Sequence, residues 1–333
     1  MSRARRSAQQ IRPSTLSWKA TDRAPVHPPA NFLPVSDTLA VRKPVDASAI
    51  SLMALLCLCW GFNYVAAKLA APGMSLVMQG GVRSAIAAIL LVIWARVRGI
   101  ALFERDDTLW PGLLAGVLFA GEFVFIFAGL AYTGASRMAV FVYLAPCLTA
   151  LGLHFFVPSE RLDLRQWAGV LLAFGGVAVA FADGFATGRA SLLGDAFGVV
   201  AALLWAATTV VIRTTKLART SATKTLFYQL GVAGLSMPAT SVLLGEPGVI
   251  ALTPLVIASL AYQSVIVAFA SYLAWFWLLT RYLAARLSVF TFLTPLFGVF
   301  AGVLLLSEPL RAALVVGVAL VGAGIYLVNR PGR

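Results

Sequence analysis

From residue 48 onward the sequence is a succession of apolar stretches of about 20 residues, separated by short polar breaks. An α-helix rises 1.5 Å per residue, so about 20 apolar residues cross the ~30 Å hydrocarbon core of a bilayer. The pattern predicts an all-α integral membrane protein with ten transmembrane helices, and the short breaks leave no room for a soluble domain. The predicted helices are 49–70, 75–96, 109–131, 136–157, 165–183, 192–213, 223–244, 254–280, 286–306 and 310–328.

The composition excludes a water-soluble enzyme. Hydrophobic residues make up 60% of the 333 residues and charged residues only 12%, whereas soluble domains carry roughly 45–50% and about 25%. The formal net charge is +13, which on a soluble domain would indicate nucleic-acid binding. Here the basic residues lie mostly between the apolar stretches. The expected partner is therefore the lipid bilayer, and no nucleic-acid partner is expected.

The basic residues also predict the orientation of the chain. With both termini in the cytosol, 21 of the 26 Lys and Arg residues fall on cytosolic segments, four fall at outer ends, and Arg83 lies within a helix. Lysine and arginine concentrate in the cytoplasmic loops of membrane proteins. The sequence thus predicts a multi-pass protein of the bacterial inner (plasma) membrane with both termini cytoplasmic.

Residues 1–47 differ in composition from the rest of the chain. They contain six prolines, eight basic residues and three acidic residues, with no apolar period, a composition that does not bury a core. They are predicted to form a disordered basic cytosolic tail, with an overlong start site as the alternative. The remainder divides into two predicted domains, 48–184 and 190–329.

The two domains resemble each other at an offset near 149 residues. The segment SRMAVFVYLAPCLTALGLHFF at 136–156 matches ARLSVFTFLTPLFGVFAGVLL at 285–305. The turn SERL at 159–162 matches SEPL at 307–310. Each half would hold five helices, an odd number, so the second half must cross the membrane in the opposite sense. The expected fold is therefore two inverted five-helix repeats, an arrangement typical of secondary transporters whose halves rock about a central site.

Several segments resemble the drug/metabolite transporter superfamily in its EamA branch. They are WGFNYVAAK in helix 1, GGVRSAIAAILLV in helix 2, GLAYTGASRMAVFVYLAP between helices 3 and 4, and the SERL and SEPL turns. The resemblance covers residues 48–330. It implies a central cavity lined mainly by helices 1–4 and 6–9, and transport of small metabolites, often the export of amino acids. Thr208 stands where the first half has Asn63, so the two halves of the site are expected to differ chemically.

Two ionisable residues lie deep inside predicted helices, where a charge is costly and indicates a functional site. From the rise per residue, Glu122 lies ~20 Å from the cytosolic side, Arg83 ~12 Å from the outer side and Asn63 ~20 Å from the inner side. These three candidates share one level in the outer half of the membrane. Arg83 is a candidate for binding a substrate carboxylate, and Glu122 for binding an ammonium group or a coupling proton. The alternative is a buried Arg83–Glu122 pair that only joins helices 2 and 3.

Further candidates come from aromatic and polar side chains that are predicted to lie within helices. Aromatic rings line cavities for bulky apolar or cationic groups, although rings that face lipid are also common. Tyr143 is the candidate in the first half. Tyr262 and Gln263, ~12 Å below the outer end of helix 8, are the candidates in the second half.

Two prolines occupy matching positions in helices 4 and 9. A proline inside a helix frees a carbonyl group and permits a kink. Pro146 and Pro295 are therefore candidate hinges for rocking, with static packing kinks as the alternative. Glycines spaced seven residues apart recur in helices 5 and 10 and are predicted to allow close helix packing. They are Gly169, Gly176, Gly317 and Gly324.

The sequence predicts a secondary transporter, not an enzyme, that moves small organic metabolites by alternating access. No GxxxxGK[ST] pattern for ATP binding occurs, so ion or solute gradients would drive transport, with a proton as the candidate coupling ion. No metal site and no cofactor are predicted. The alternatives are an integral-membrane enzyme acting on lipid-linked substrates and a non-transporting scaffold. The sequence leaves open the substrate, the direction of transport, and whether the protein is a monomer or a homodimer.

Overall fold

The computed structural model describes residues 43–130, 132–133, 135–182, 191–306 and 312–330, so most of the predicted tail lies outside the described residues. All regular secondary structure in these ranges is helical. The helices begin and end within three residues of the predicted stretches. They are α1 (Ala47–Ala70), α2 (Leu76–Arg98), α3 (Leu109–Gly129), α4 (Ala135–Val142 and Ala145–Phe156), α5 (Leu164–Ala180), α6 (Leu192–Thr214), α7 (Ala222–Leu243), α8 (Pro254–Arg281), α9 (Ala284–Ser288, Val289–Phe292 and Leu293–Leu306) and α10 (Ala312–Asn329).

Eight of the described helices are long and apolar enough to cross a membrane. They are α1, α2, α3, α4, α6, α7, α8 and α10. The helix α5 and the Ala284–Gly298 part of α9 are also apolar but shorter. A helix satisfies its backbone hydrogen bonds within itself, as a hydrocarbon environment requires. The chain is therefore an all-α membrane protein.

Polar side chains cap the N-termini of several helices. Asp46 accepts a hydrogen bond from the Ala49 N–H at 2.9 Å and caps α1. Hydrogen bonds from the Ser48 hydroxyl, the Ala49 N–H and the Tyr282 hydroxyl hold the pKa of this carboxyl at about 2. Asp163 caps α5 in the same way. These caps satisfy N–H groups that a helix leaves unpaired, and they fix where α1 and α5 begin.

Polar contacts join the segments at one end of the helix bundle. The N–H of Lys43 donates to the Arg281 carbonyl at 3.0 Å, and the Lys216 ammonium pairs with Asp107 at 2.5 Å. We call this end the basic end, because most of the basic residues between helices lie on it. It comprises 43–46, 99–108, 157–163, 215–221, 282–283 and residue 330.

The connections at the opposite end are also joined to each other. The Ser75 N–H donates to the Gly248 carbonyl at 2.9 Å, and the Ile250 N–H donates to the Gly73 carbonyl at 2.9 Å. These bonds hold the α1–α2 connection against the α7–α8 connection.

Glycines bring α5 and α10 into backbone contact, as the sequence predicts. A Cβ atom added at Gly169 would lie 2.8 Å from the Gly324 carbonyl oxygen. A Cβ atom added at Gly176 would lie 2.8 Å from the Gly317 carbonyl oxygen. The glycines that match in sequence thus pack against each other in space, which is how small residues drive helix association in lipid.

The prolines in α4 and α9 coincide with breaks in helical geometry. A proline lacks an N–H and its ring clashes with the carbonyl four residues earlier. The first segment of α4 ends at Val142, four residues before Pro146. In α9 the 3₁₀ segment Val289–Phe292 contains Thr291, four residues before Pro295. The structure thus interrupts the regular α-helix of both elements at the matching place, beside the two candidate hinge prolines.

The packing of α5 on α10 predicts the effect of one added methyl group. Gly324→Ala should lower the thermal unfolding midpoint, because its Cβ would lie 2.5 Å from the Gly169 carbonyl oxygen and overpacking costs about 1–3 kcal/mol. Gly322→Ala on the same helix is the control, since a Cβ there meets no atom within 4 Å. Unfolding followed by size-exclusion chromatography of heated detergent samples measures both. Equal midpoints for the two variants would contradict the close packing.

Candidate functional site

Arg83 of α2 and Glu122 of α3 are both buried within the bundle. Arg83 is 4% exposed and Glu122 is 7% exposed. The guanidinium carbon of Arg83 lies 4.8 Å from the centroid of the Phe123 ring, within the range of a cation–π contact. The residue next to Glu122 therefore holds the arginine against α3. The structure thus brings together the two charges that the sequence predicts at one level.

The two charges do not form a direct ion pair. Within the part of the chain that the structure describes, no carboxylate lies within 4.0 Å of the Arg83 guanidinium. Its Nε atom is buried and has no hydrogen-bond partner among the described residues. The charge of Arg83 nevertheless acts on the Glu122 carboxylate through space. A buried donor without a partner is costly, so this arrangement suits a site that a ligand completes better than it suits a structural clamp.

Aromatic rings surround the charged groups. The Tyr272 ring of α8 lies 6.1 Å from the Phe119 ring of α3, edge to face. It lies 6.1 Å from the Trp60 ring of α1, also edge to face. The Tyr272 hydroxyl interacts with Arg83. Rings from α1, α3 and α8 therefore form an apolar wall, and Tyr272 brings its hydroxyl to the cation.

The hydroxyl groups of Tyr64 and Tyr143 meet at 3.3 Å and join α1 to α4. Tyr143, the predicted candidate, is 2% exposed and packs on Trp205 with a centroid distance of 6.1 Å. Tyr64 is 51% exposed and interacts electrostatically with both Arg83 and Glu122. Tyr64 is therefore the ring with accessible surface near the charges, whereas Tyr143 is buried and contacts Tyr64 through its hydroxyl group.

Asn63 adds an acceptor without a partner. Its Oδ1 atom is buried and receives no hydrogen bond from the described residues. Leaving a buried acceptor unsatisfied costs about 1–3 kcal/mol. Asn63 directly precedes Tyr64 in α1. The amide oxygen of Asn63 therefore has an unused acceptor position inside the bundle.

The predicted second-half candidates make hydrogen bonds between helices. The Tyr262 hydroxyl donates to the Cys59 carbonyl at 2.9 Å. The Gln263 amide donates to the Gln79 side-chain oxygen at 3.1 Å. Gln79 precedes Arg83 by one helical turn on the same face of α2. Tyr262 and Gln263 therefore join α8 to α1 and α2 next to the charged site, and their polar groups are already occupied.

The segment of α8 that carries these residues is a π-helix, Tyr262–Ser271. Such segments are rare and occur often at functional sites. At its end the Ser271 hydroxyl accepts a hydrogen bond from the Trp60 Nε1–H at 2.8 Å. The π-helix thus connects the Gln263–Gln79 contact with the aromatic wall.

Sequence reasoning did not select Tyr64, Tyr272 or Gln79. Spacing offered a usable signal, because Trp60 and Tyr64 are four residues apart on one face of α1. Gln79 and Arg83 have the same spacing in α2. A polar or aromatic residue one turn from a buried charge is therefore a candidate for the same site.

The chain is similar in sequence to known transporter proteins. The sequence profile of the EamA-like transporter family matches residues 47–182 and 192–330. The uncharacterized transporter YvbV of Bacillus subtilis is 30% identical over 289 residues, which cover 85% of this chain and 92% of that protein. Two probable amino-acid metabolite efflux pumps, of Salmonella typhimurium and Escherichia coli, are each 26% identical over 283 residues, covering 82% of this chain and 92% of theirs.

A solved crystal structure shares the fold. It aligns with a TM-score of 0.73 over 85% of this chain and 96% of its own chain, at 20% sequence identity. At this identity the likeness concerns the arrangement of helices and carries no assignment of a substrate.

The separation of Arg83 and Glu122 predicts weaker energetic coupling than a direct ion pair has. Arg83→Gln and Glu122→Gln, made singly and together, should show a smaller coupling energy than a buried pair in contact, because the two side chains share no direct contact. Denaturant unfolding in detergent measures the free energy of unfolding of the wild type, the two single variants and the double variant.

The matched control is the buried pair Glu160–Arg213 at the basic end, which is in direct contact. Removing one member of such a pair typically costs about 3–5 kcal/mol, so its cycle should show strong coupling. Equal coupling energies in the two pairs would show that Arg83 and Glu122 are held together as a direct ion pair.

Proposed function

Since the chain belongs to the EamA-like transporter family of drug/metabolite transporters, we propose that it is a secondary transporter that exports amino acids or related small organic metabolites by alternating access. The relatives named as probable amino-acid metabolite efflux pumps support this substrate class. The membrane-spanning helices and the family membership place the chain among transporters, so a small molecule is the expected partner.

The observation that carries the proposal is the buried, unpaired arrangement of two opposite charges. An amino acid presents a carboxylate and an ammonium group on one carbon atom. The Arg83 guanidinium, with its free Nε–H, suits the carboxylate. The Glu122 carboxylate and the Asn63 oxygen suit the ammonium group. Phe119, Phe123, Tyr272 and the exposed face of Tyr64 are then available to an apolar side chain.

We propose that the chain spans the membrane ten times in two inverted five-helix repeats, 48–184 and 190–329. Two matches in space support the repeat. The α4 and α9 helices break at matching positions before Pro146 and Pro295. The matching glycines of α5 and α10 pack against each other. In this arrangement Pro146 and Pro295 act as paired hinges as the halves rock.

The distribution of charge supports an orientation in the membrane. The basic end holds most of the lysines and arginines between helices, so it faces the cytosol of a bacterial inner membrane. Both termini then lie in the cytosol. Export would carry the substrate from the basic end to the opposite end.

Flux measurements test the proposal. Purified protein in liposomes should transport at least one member of a panel of radiolabelled amino acids. Arg83→Gln should reduce the initial rate by about tenfold or more, because a hydrogen bond to a charged group is worth about 1.5–3 kcal/mol. Arg98→Gln, on the exposed end of the same helix, is the control and should leave the rate unchanged. Absence of flux for any solute would favour a scaffold or an enzyme.

Glu122 is proposed to carry the coupling proton. In wild-type liposomes an imposed pH gradient should change the initial rate of amino-acid flux. Glu122→Gln keeps the shape of the side chain but cannot release a proton, so its flux should be the same with and without the gradient. Asp107→Asn, at an exposed carboxylate of the basic end, should retain the response. A gradient-dependent flux in the Glu122→Gln protein would remove the proton role.

A further inference from the structure

A second buried pair of charges lies at the basic end, away from the Arg83–Glu122 site. Glu160 belongs to the turn between α4 and α5, and Arg213 lies in the last turn of α6. Their side chains are 0% and 1% exposed and form a direct ion pair. Burial of both charges removes their hydration, which is costly unless other groups replace the water.

The replacement groups come from a third part of the chain. Arg213 Nη1 donates to the Leu279 carbonyl at 2.9 Å, and Nη2 donates to the Tyr282 carbonyl at 3.3 Å. The Ala285 N–H donates to the second Glu160 oxygen at 3.0 Å. The charged pair is thus hydrogen-bonded to the backbone of the α8–α9 turn, residues 279–285. We call this set of contacts the basic-end clasp.

The turn held by the clasp is also fixed to α1. The Tyr282 hydroxyl donates to Asp46 at 2.9 Å, and the Arg281 carbonyl accepts from the Lys43 N–H. Through these bonds the clasp joins α4 and α6 to α1, α8 and α9. It is therefore a connection between the two sides of the bundle at the basic end.

The helices that flank the α8–α9 turn are irregular. The π-helix Tyr262–Ser271 precedes it in α8, and the 3₁₀ segment Val289–Phe292 follows it in α9. Short segments of irregular helix mark places where a helix bends or shifts its register. The turn can therefore move as a unit without breaking regular helical structure.

One hydrogen-bond donor of the basic-end clasp has no partner in the closed arrangement. The Arg213 Nε atom is buried and has no hydrogen-bond partner among the described residues. Water entering at the basic end would supply this partner and would hydrate both charges. Opening therefore exchanges the ion pair and its backbone contacts for hydration of both charges.

We propose that the Glu160–Arg213 pair is the gate of the basic end, closed in this structure by its contacts with the α8–α9 turn. Opening separates the pair from Leu279, Tyr282 and Ala285 and admits water, and with it substrate, from that end. The inference rests on the proposed alternating-access function and names the residues that close one side.

Distances between spin labels test the gate without any substrate. Cys57, Cys59 and Cys147 are replaced by alanine, and cysteines are introduced at two exposed residues: Arg219, after the end of α6, and Thr280, near the end of α8. Double electron–electron resonance in lipid nanodiscs should give one dominant short distance. Glu160→Gln and Arg213→Gln should each add a longer distance as a major population.

A second label pair serves as the control. Cysteines at Ala47 and Thr280 report on α1 and α8, which Lys43 and Asp46 hold together on the same side of the clasp. Their distance should not change in either variant. An unchanged Arg219–Thr280 distance in a folded Glu160→Gln protein would overturn the proposal, and so would equal lengthening of both label pairs.

Two conservative variants test the gate if the Glu160→Gln and Arg213→Gln proteins do not fold. Glu160→Asp and Arg213→Lys retain both charges with shorter or less branched side chains, so each should give a smaller population at the longer distance. An unchanged distance in both would overturn the gate. The liposome flux assay judges the transport function separately. Flux by the wild-type protein, with no change of the Arg219–Thr280 distance in the variants, would reject the gate alone. A changed distance in the variants, with no flux of any solute by the wild-type protein, would reject the transport function alone.

Discussion

Charge buried in an apolar bundle is the constraint on which the rest of this structure depends. In hydrocarbon an ion needs a partner, a hydrogen-bond network or a wet cavity, and each alternative restricts how the helices pack. The chain uses two different solutions. Glu160 and Arg213 are in direct contact and are closed off by backbone groups. Arg83 and Glu122 stay more than 4.0 Å apart with a guanidinium donor unused. The first arrangement is complete in the protein except at one Nε atom, whereas the second leaves a buried donor without a partner and two charges that do not contact each other.

Much of the fold follows from local sequence. The lengths of the apolar stretches predict the positions of the helices, because a segment that crosses the hydrocarbon must satisfy its backbone hydrogen bonds within itself. The glycine spacing in α5 and α10 predicts their close contact correctly, because a missing Cβ matters wherever two helices meet. Pro146 and Pro295 predict a disturbance in α4 and α9, and both helices depart from regular α-helical geometry beside these prolines. The position of Pro146 indicated a kink, but the size of the disturbance depends on whether neighbouring helices supply other hydrogen bonds, which the local sequence does not contain.

The charged members of the candidate site are the ones that the sequence marks most clearly. Arg83 and Glu122 stand out because any charge inside an apolar stretch is unusual. Tyr64 and Tyr272 do not stand out, since aromatic residues are frequent in membrane helices for many reasons. Glu160 and Arg213 were counted as loop and helix-end residues, and nothing local marks them as a buried pair. Their meeting depends on contacts between residues 53 positions apart in sequence, and that distance information exists only in the folded bundle.

The two proposed halves match in sequence and in helix order, but their polar and charged side chains differ at matching positions. Asn63 and Thr208 occupy equivalent positions, yet Thr208 donates to the Leu204 carbonyl of its own helix at 2.9 Å while the Asn63 oxygen remains unpartnered. Lys68, eight residues after Trp60, corresponds to Arg213, eight residues after Trp205, yet Lys68 is exposed and Arg213 is buried in the clasp. The first half therefore has a buried acceptor without a partner, and the end of α6 supplies the buried cation of the clasp. Under the proposed function, two halves that differ in charge would hold a substrate between them and would close at one end at a time, as alternating access requires.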